Sequence, residues 1–255
     1  QIPEVREAET GHVVREIRPP GPMWRIDRMA KDHPNHQAVV YLENRHYDLE
    51  KLGRLWQVAY CPNSIYRLAT NRIIIPMYQD GMMVGWQARY IGDSVNGVPF
   101  NVAGIPKYWS SKGFKRRLVA YNFERAVRHR TVVIVEGMTD VWSVGPMGLG
   151  LLGKTMSPFL QRKFAWAMKE HHGDRGVAVV MLDPELDRRD LKKQREHPIY
   201  RLQGQLLPHM PGRVLPVKPP DGYDPGSMER PWIRRLIREL AAERGIQVTF
   251  AKPKS

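Results

Sequence analysis

Two continuous apolar runs dominate the pattern of the chain. Thr131–Val135 and Val177–Leu182 are strings of apolar, largely β-branched residues, each followed by a helix-like stretch. Runs of this kind predict parallel strands buried on both faces of a sheet. From residue 131 onward the order reads strand, helix, strand, helix, strand, helix. A third strand is expected over 213–217. A closing helix is expected from about Pro231 to Gly245, burying Trp232, Ile233, Leu236, Ile237 and Leu240. Residues 157–171 predict a helix capped by Ser157, with Pro158 at its first position and Leu160, Phe164, Ala167 and Met168 at helical spacing. The stretch after Asp187 also has a helical pattern, which Pro198 is expected to break in two. Residues 246–250 alternate and predict a short strand.

Upstream the rhythm differs. Residues 1–22 are charged, carry several prolines and keep no period, which predicts a linker or arm; docking through Val13, Val14 and Ile17 is the alternative. Residues 23–60 read as a small helical lead-in, with Asp48 placed to cap a helix bearing Leu49, Leu52 and Leu55. Between 71 and 109 the pattern turns to strands, and two apolar arms around Gln79-Asp80-Gly81 predict a hairpin. The chain therefore predicts an α/β fold: a parallel sheet flanked by helices, preceded by a smaller mixed α+β subdomain. The expected divisions are an arm over 1–22, a helical and hairpin subdomain over 23–127, the sheet domain over 128–228, and a helix with a basic tail over 229–255.

Both central runs end on carboxylates. The first stops at Glu136, with Asp140 a turn later; the second stops at Asp183, followed by Glu185 and Asp187; the third strand leads to Asp221 and Asp224. In parallel sheets ligands sit beyond the carboxyl ends of the strands, so these acids are expected to meet at one edge. Carboxylates held together repel unless a cation lies between them, and a hard divalent ion with oxygen ligands, Mg2+ or Mn2+, answers that need. Singly each motif has a plainer reading: Glu136 as the first solvated residue after a strand, or Asp183 as a helix cap before Pro184. Two strand-end motifs joined through a helix, with a third acidic turn, favour the metal site. Glu136 serves either as a metal ligand or in moving a proton.

Net charge adds a partner. Forty Lys and Arg against 26 Asp and Glu leave +14, which favours a polyanion, although a merely soluble basic protein has the same balance. Arg89, Lys107, Lys115, Arg116 and Arg117 lie near Tyr90, Tyr108, Trp109 and Phe114, a mixture suited to single-stranded nucleic acid; any one of those aromatics reads equally well as half-buried core. The single cysteine, Cys61, excludes a disulfide framework and fits a reducing cytoplasm. No apolar run approaches membrane-spanning length. Ser143, Ser157 and Cys61 lack any nucleophile motif, and LLGKTM lacks the preceding glycines of a Walker site. Beginning at Gln1, the chain is expected to be a piece of a longer protein.

Taken in order, these segments resemble the catalytic core of bacterial and phage DNA primases of the DnaG type, built on a Toprim domain. YLENRHYD resembles YLxxRGhs; NRIIIPMYQDGMMVGWQARYIGD with PKYWSS resembles the RIxFPI, GxVxGFGGRxL and PKYLNS segments. VEGMTDVWS resembles VEGYMDVIA, LLGKTMSPFLQRKF the LGT segment and its helix, VMLDPELD the FDGDxAG motif, and PPDGYDPGSM the LPDGxDPD motif. The likeness covers most of residues 38–230. It implies a Toprim-type sheet and synthesis of short RNA primers on a single-stranded DNA template from ribonucleoside triphosphates. Glu136, Asp140, Asp183 and Glu185 would be catalytic and hold Mg2+ or Mn2+, with Asp187 and Asp224 as further ligands. Arg45, Arg89, Lys107, Tyr108, Lys115, Arg116 and Arg117 would face nucleotide or template. The resemblance also implies a replicative helicase and a separate zinc-binding domain as partners, and a bacterial or phage-infected cytoplasm. The chain departs from the pattern at Asp183-Pro184-Glu185, where the family has Asp-x-Asp, and at Gly226, where it has an acid. A Toprim nuclease or topoisomerase-like strand cleaver, and a non-catalytic single-strand binder, are the other readings.

Overall fold

The structure, a computed structural model, describes residues 14–29, 36–183 and 197–250. It divides into two compact units, Gln1–Lys115 and Arg116–Ser255.

The first unit is a five-stranded antiparallel sheet in the order β1 (Trp24–Arg25), β2 (Ala59–Cys61), β3 (Arg72–Gln79), β4 (Met82–Arg89), β5 (Tyr108–Ser110). Helices α1 (Gln37–Asn44) and α2 (Leu49–Trp56) lie between β1 and β2, and a single turn, α3 (Phe100–Ala103), precedes β5. Asp48 caps α2 as expected, its carboxylate accepting from Lys51 N at 3.0 Å. The β3–β4 hairpin closes through Asp80 and Gly81, both at positive φ (51° and 76°), the pairing that a two-residue primed turn requires. The helical reading of 23–60 is corrected at both ends. Trp24–Arg25 pairs with Ala59–Tyr60, so the short apolar pieces flanking the helices complete a ladder.

The arm also needs correction from residue 14 onward. Ile17 N donates to Met83 O at 2.7 Å, Arg18 O accepts from Trp86 Nε1 at 3.0 Å, and Pro20 O accepts from Ser64 Oγ and Ile65 N. Ile17 packs against the cluster of Cys61, Ile74, Trp86 and Ala88, so this segment docks on the first unit.

The second unit carries four parallel strands in the order β7-β6-β8-β9. They are β6 (Thr131–Val135), β7 (Gly148–Gly150), β8 (Val177–Val180) and β9 (Val214–Pro216). Among the described residues its helices are α4 (Phe123–Ala126), α5 (Met138–Val144), α6 (Pro158–His172), α7 (Pro198–Leu206) and α8 (Arg230–Glu243). Ser157 caps α6 through Leu160 N, with Pro158 in the first turn, as predicted. All five residues of β6 and all four of β8 are buried, the double-faced burial that their unbroken apolar runs predict.

The unexpected strand is β7. Its glycines hid it, and they are there for packing: a Cβ on Gly148 would lie 3.2 Å from Val141 Cα, and one on Gly150 would lie 3.2 Å from Gly137 O, so α5 can approach closely. The division between units falls after Lys115, earlier than the boundary expected at 127. Ala120, Phe123, Ala126 and Val127 share a core with Val132 and Ile134, and Tyr121 exchanges backbone hydrogen bonds with Gly150. The C-terminal helix is no separate piece either, since Ile233, Ile237 and Ala241 are buried in this unit. The strand expected at 246–250 forms no ladder. There Thr249 N donates to the Thr131 hydroxyl at 2.9 Å and Phe250 lies under the Arg234 and Arg238 guanidinium groups.

Candidate functional site

Relative to the order of the chain, the parallel sheet reads second, first, third, fourth. The direction of winding reverses between β6 and β8, and the crevice beyond the carboxyl ends of those two strands is the switch point where such sheets bind ligands. Glu136 follows β6 and Asp183 follows β8. Among the described residues, Glu136 Oε2 and Asp183 Oδ1 are both buried without a hydrogen-bond partner, a costly state for carboxylate oxygens.

The charges here are coupled. Burial, then the charges of Asp140, Glu136 and Asp224, push the Asp183 carboxyl up to about 7, while Lys154 pulls the other way. Burial also raises the pKa of Glu136, and Lys154 again opposes the shift. The structure therefore brings Glu136, Asp140, Asp183 and Asp224 into one electrostatic group. Glu185 and Asp187 lie outside the described residues.

The four acids are not equivalent. Asp140 sits in the first turn of α5, where its Oδ2 accepts from Gly137 N at 2.7 Å, satisfying a helix N-terminus. Asp224 is exposed, and its Oδ1 accepts from Ser227 N at 2.7 Å. Gly226 lies against both: a Cβ there would stand 2.6 Å from Asp140 Oδ1 and 3.3 Å from Asp224 Oδ1. Among the described residues no three His, Cys, Asp or Glu side chains are gathered closely enough to cage an ion. The unpartnered oxygens on Glu136 and Asp183 remain, and an all-oxygen donor set suits a hard divalent cation rather than a thiophilic one.

Around these acids stand residues that sequence reasoning missed. Arg230 donates to Ser143 O and Trp142 O at 3.1 Å, closing the last turn of α5, and Ser143 Oγ donates to Gly226 O at 2.9 Å. The acidic turn is thereby fixed to the helix that carries Asp140. Nothing local in the sequence announces this, because the partners are more than 80 positions apart. Lys154, in the GKT triplet set aside as a broken Walker motif, places a cation within reach of both Glu136 and Asp183.

In the first unit, Arg45, Arg89 and Tyr108 gather around Tyr41. Register explains part of this, since Arg89 and Tyr108 are directly opposed on β4 and β5. The Arg89 side chain is buried, hydrogen-bonded to the Tyr108 and Tyr41 hydroxyls, and 4.9 Å from the Tyr108 ring centroid. Burial works against its charge, but the Tyr108 and Tyr41 hydroxyls outweigh it and hold the guanidinium's pKa above its ordinary value. Arg45 lies 5.5 Å from the Tyr41 ring centroid and 3.4 Å from Asp93. Tyr41 and Asp93 were missed, although Tyr41 stands four residues before Arg45 and so on one helical face with it.

Lys107 is half-buried and its carbonyl accepts from Tyr90 N at 2.9 Å. Lys115, Arg116 and Arg117 are exposed. The other aromatics behave as core. Trp109 packs with Tyr66 and Trp86 at 5.4 and 5.5 Å, Tyr90 meets Phe100 edge-on, and the Phe114 ring fills the space over Gly85.

No protein-family model and no curated protein matches the sequence. Solved structures do. The RNA polymerase domain of Mycobacterium tuberculosis primase DnaG, crystallised with double-stranded DNA, superposes with a TM-score of 0.59 at 19% identity, over 82% of this chain and 75% of that one. The same domain without DNA gives 0.58 at 18% identity, over 85% and 77%. A DnaG catalytic core gives 0.60 at 18% identity, over 83% and 76%. Together with the parallel sheet and the antiparallel sheet before it, these likenesses give the chain the fold of a DnaG-type primase catalytic core.

Proposed function

We propose that this protein is a DNA primase core that makes short RNA primers on single-stranded DNA by metal-dependent nucleotidyl transfer. The observation that carries the reading is the pair of buried, unpartnered carboxylate oxygens on Glu136 and Asp183 at the switch point of the sheet. Mg2+ or Mn2+, when bound there, would activate a 3′ hydroxyl and neutralise charge on the triphosphate. Glu136 and Asp183 are the ligands in this reading, Asp140 and Asp224 add negative charge beside them, and Glu185 and Asp187 complete the set. Arg89, buried and held between Tyr108 and Tyr41, adds a fixed positive charge beneath the nucleotide surface in this reading, while Arg45, Lys107, Lys115, Arg116 and Arg117 serve nucleotide and template.

A second reading draws on Asp140 and Asp224. Each gives an oxygen to a backbone amide, as acids in a metal-free single-strand binder would. One experiment separates the two. Primer formation from ribonucleotides on single-stranded DNA is measured with the parent protein and with Asp183→Ala, and the substitution is expected to lower product roughly a hundredfold. Equal product from both rejects Asp183 as a ligand, and DNA binding without any product from the parent favours the binder.

A further inference from the structure

The parallel sheet has a second pole. Thr131, Val177 and Val214 begin β6, β8 and β9, so the turns before them meet at the edge opposite Glu136 and Asp183. Val177 N donates to Arg130 O at 2.8 Å and Ala178 N to Arg213 O at 2.9 Å, which carries the ladder outward and fixes the backbone of both arginines. The turns are also tied to one another. Arg130 Nε donates to Arg175 O at 2.9 Å, Arg213 Nη1 to Gly173 O at 3.3 Å, and His172 Nε2 to Val127 O at 2.9 Å. Arg128 and Arg175 are exposed on the same turns, and Lys169 and His171 lie in the last turn of α6.

Lys169 and His171 have an ordinary reason to be there, because the carbonyl end of a helix favours positive charge. The four arginines stand outside that turn, and Asp174, 3.4 Å from Arg213, answers one of them. With Arg130 and Arg213 pinned by carbonyls, the charges are held together, and a polyanion relieves the repulsion between them. The acids of the far edge do not cancel it. Five strand residues separate Arg130 from Glu136, which at about 3.3 Å per residue is roughly 20 Å, against a Debye length of about 8 Å at physiological salt. The occupant's chemistry follows from the surface. Among the described residues, no exposed large hydrophobic side chain belongs to 127–130, 169–176 or 211–213, whereas a protein partner anchors on aromatic or aliphatic groups. A sugar–phosphate backbone needs only cations. We propose that the amino pole of the parallel sheet is a sequence-independent binding surface for the phosphodiester backbone of nucleic acid, carried by Arg128, Arg130, Arg175 and Arg213. The surface supplies affinity rather than catalysis, so it stands or falls apart from the primase reading.

Its test is binding alone. Anisotropy titrations over a range of salt, with single-stranded and with duplex DNA of about thirty nucleotides, compare the whole chain with two doubly substituted forms. One is Arg128→Gln with Arg175→Gln. The other, Lys51→Gln with Arg54→Gln, removes the same charge from two cations that α2 already pairs with Asp48 and Glu50. Losing two phosphate contacts is expected to make the slope of log affinity against log salt shallower by about 1.4 on a single strand, or about 1.8 on duplex, and to weaken single-strand binding roughly 25-fold at 0.1 M salt. The form of DNA that shows the loss is the occupant. The α2 pair is expected to stay close to the parent, and Arg128→Lys with Arg175→Lys to restore binding, which a fault in folding would not allow. Equal affinities and slopes in the two glutamine pairs overturn the proposal, since net charge alone then acts. So does unchanged DNA binding with loss of a polyglutamate peptide, which assigns the pole to an acidic protein segment.

Discussion

At the scale of single residues, Asp183 is where function and stability oppose each other most directly. Its carboxyl is pushed up to about 7 by burial and by Asp140, Glu136 and Asp224. Below about pH 4 it is protonated in both folded and unfolded chains and contributes nothing. As pH rises towards 7 the unfolded chain releases the proton that the folded site retains, so stability falls across that window and levels off above it. Asp183→Asn is therefore expected to stabilise the metal-free protein by roughly 2 kcal/mol at pH 8, after discounting for partial exposure, and by almost nothing at pH 4. Denaturant unfolding in the presence of a chelator measures both, and an equal effect at the two pH values would refute the assignment. The position of Asp183 was readable because an unbroken apolar run has to end somewhere, and here it ends on an acid. Gly226 was readable only as a departure. Its reason lies in the 2.6 Å that a Cβ would leave to Asp140 Oδ1, a distance set by two segments far apart in the chain.

At the scale of elements, local signals carried well and long-range ones did not. Asp48, Ser157 and the Asp80-Gly81 turn were readable because a cap or a tight turn is decided within four residues. β1 and β7 were missed because two or three residues carry no period; they are strands only because β2 and β6 lie beside them. The same applies to α8, whose amphipathic pattern predicts a buried face but not what holds it. That hold is Arg230, half-buried beneath Gly145, where a Cβ would come within 2.8 Å of its guanidinium carbon. Burial, and then the charge of Arg234, lower its pKa, so its two carbonyl partners at the end of α5 offset a real desolvation cost. Arg230→Met keeps most of the apolar contact and loses both hydrogen bonds. It is expected to destabilise the protein by about 2 kcal/mol in urea unfolding, and a change within about 0.5 kcal/mol would mean that α8 is held by its apolar face alone.

At the scale of the whole molecule, sequence identity with the solved primase cores is only 18–19%, yet the fold is shared. Net charge is the other global property. An excess of 14 positive charges draws a polyanion by releasing its counterions, each phosphate neutralised on a single strand contributing about −0.7 to the slope of log affinity against log salt. A template path engaging four Lys or Arg side chains gives a slope of about −3, so affinity for a single-stranded oligonucleotide should fall roughly 60-fold between 50 and 200 mM salt. Anisotropy titrations across that range measure it directly. A slope near zero would mean that the excess charge serves solubility, and that Arg45 and Lys115, both exposed, do not follow the nucleic-acid backbone.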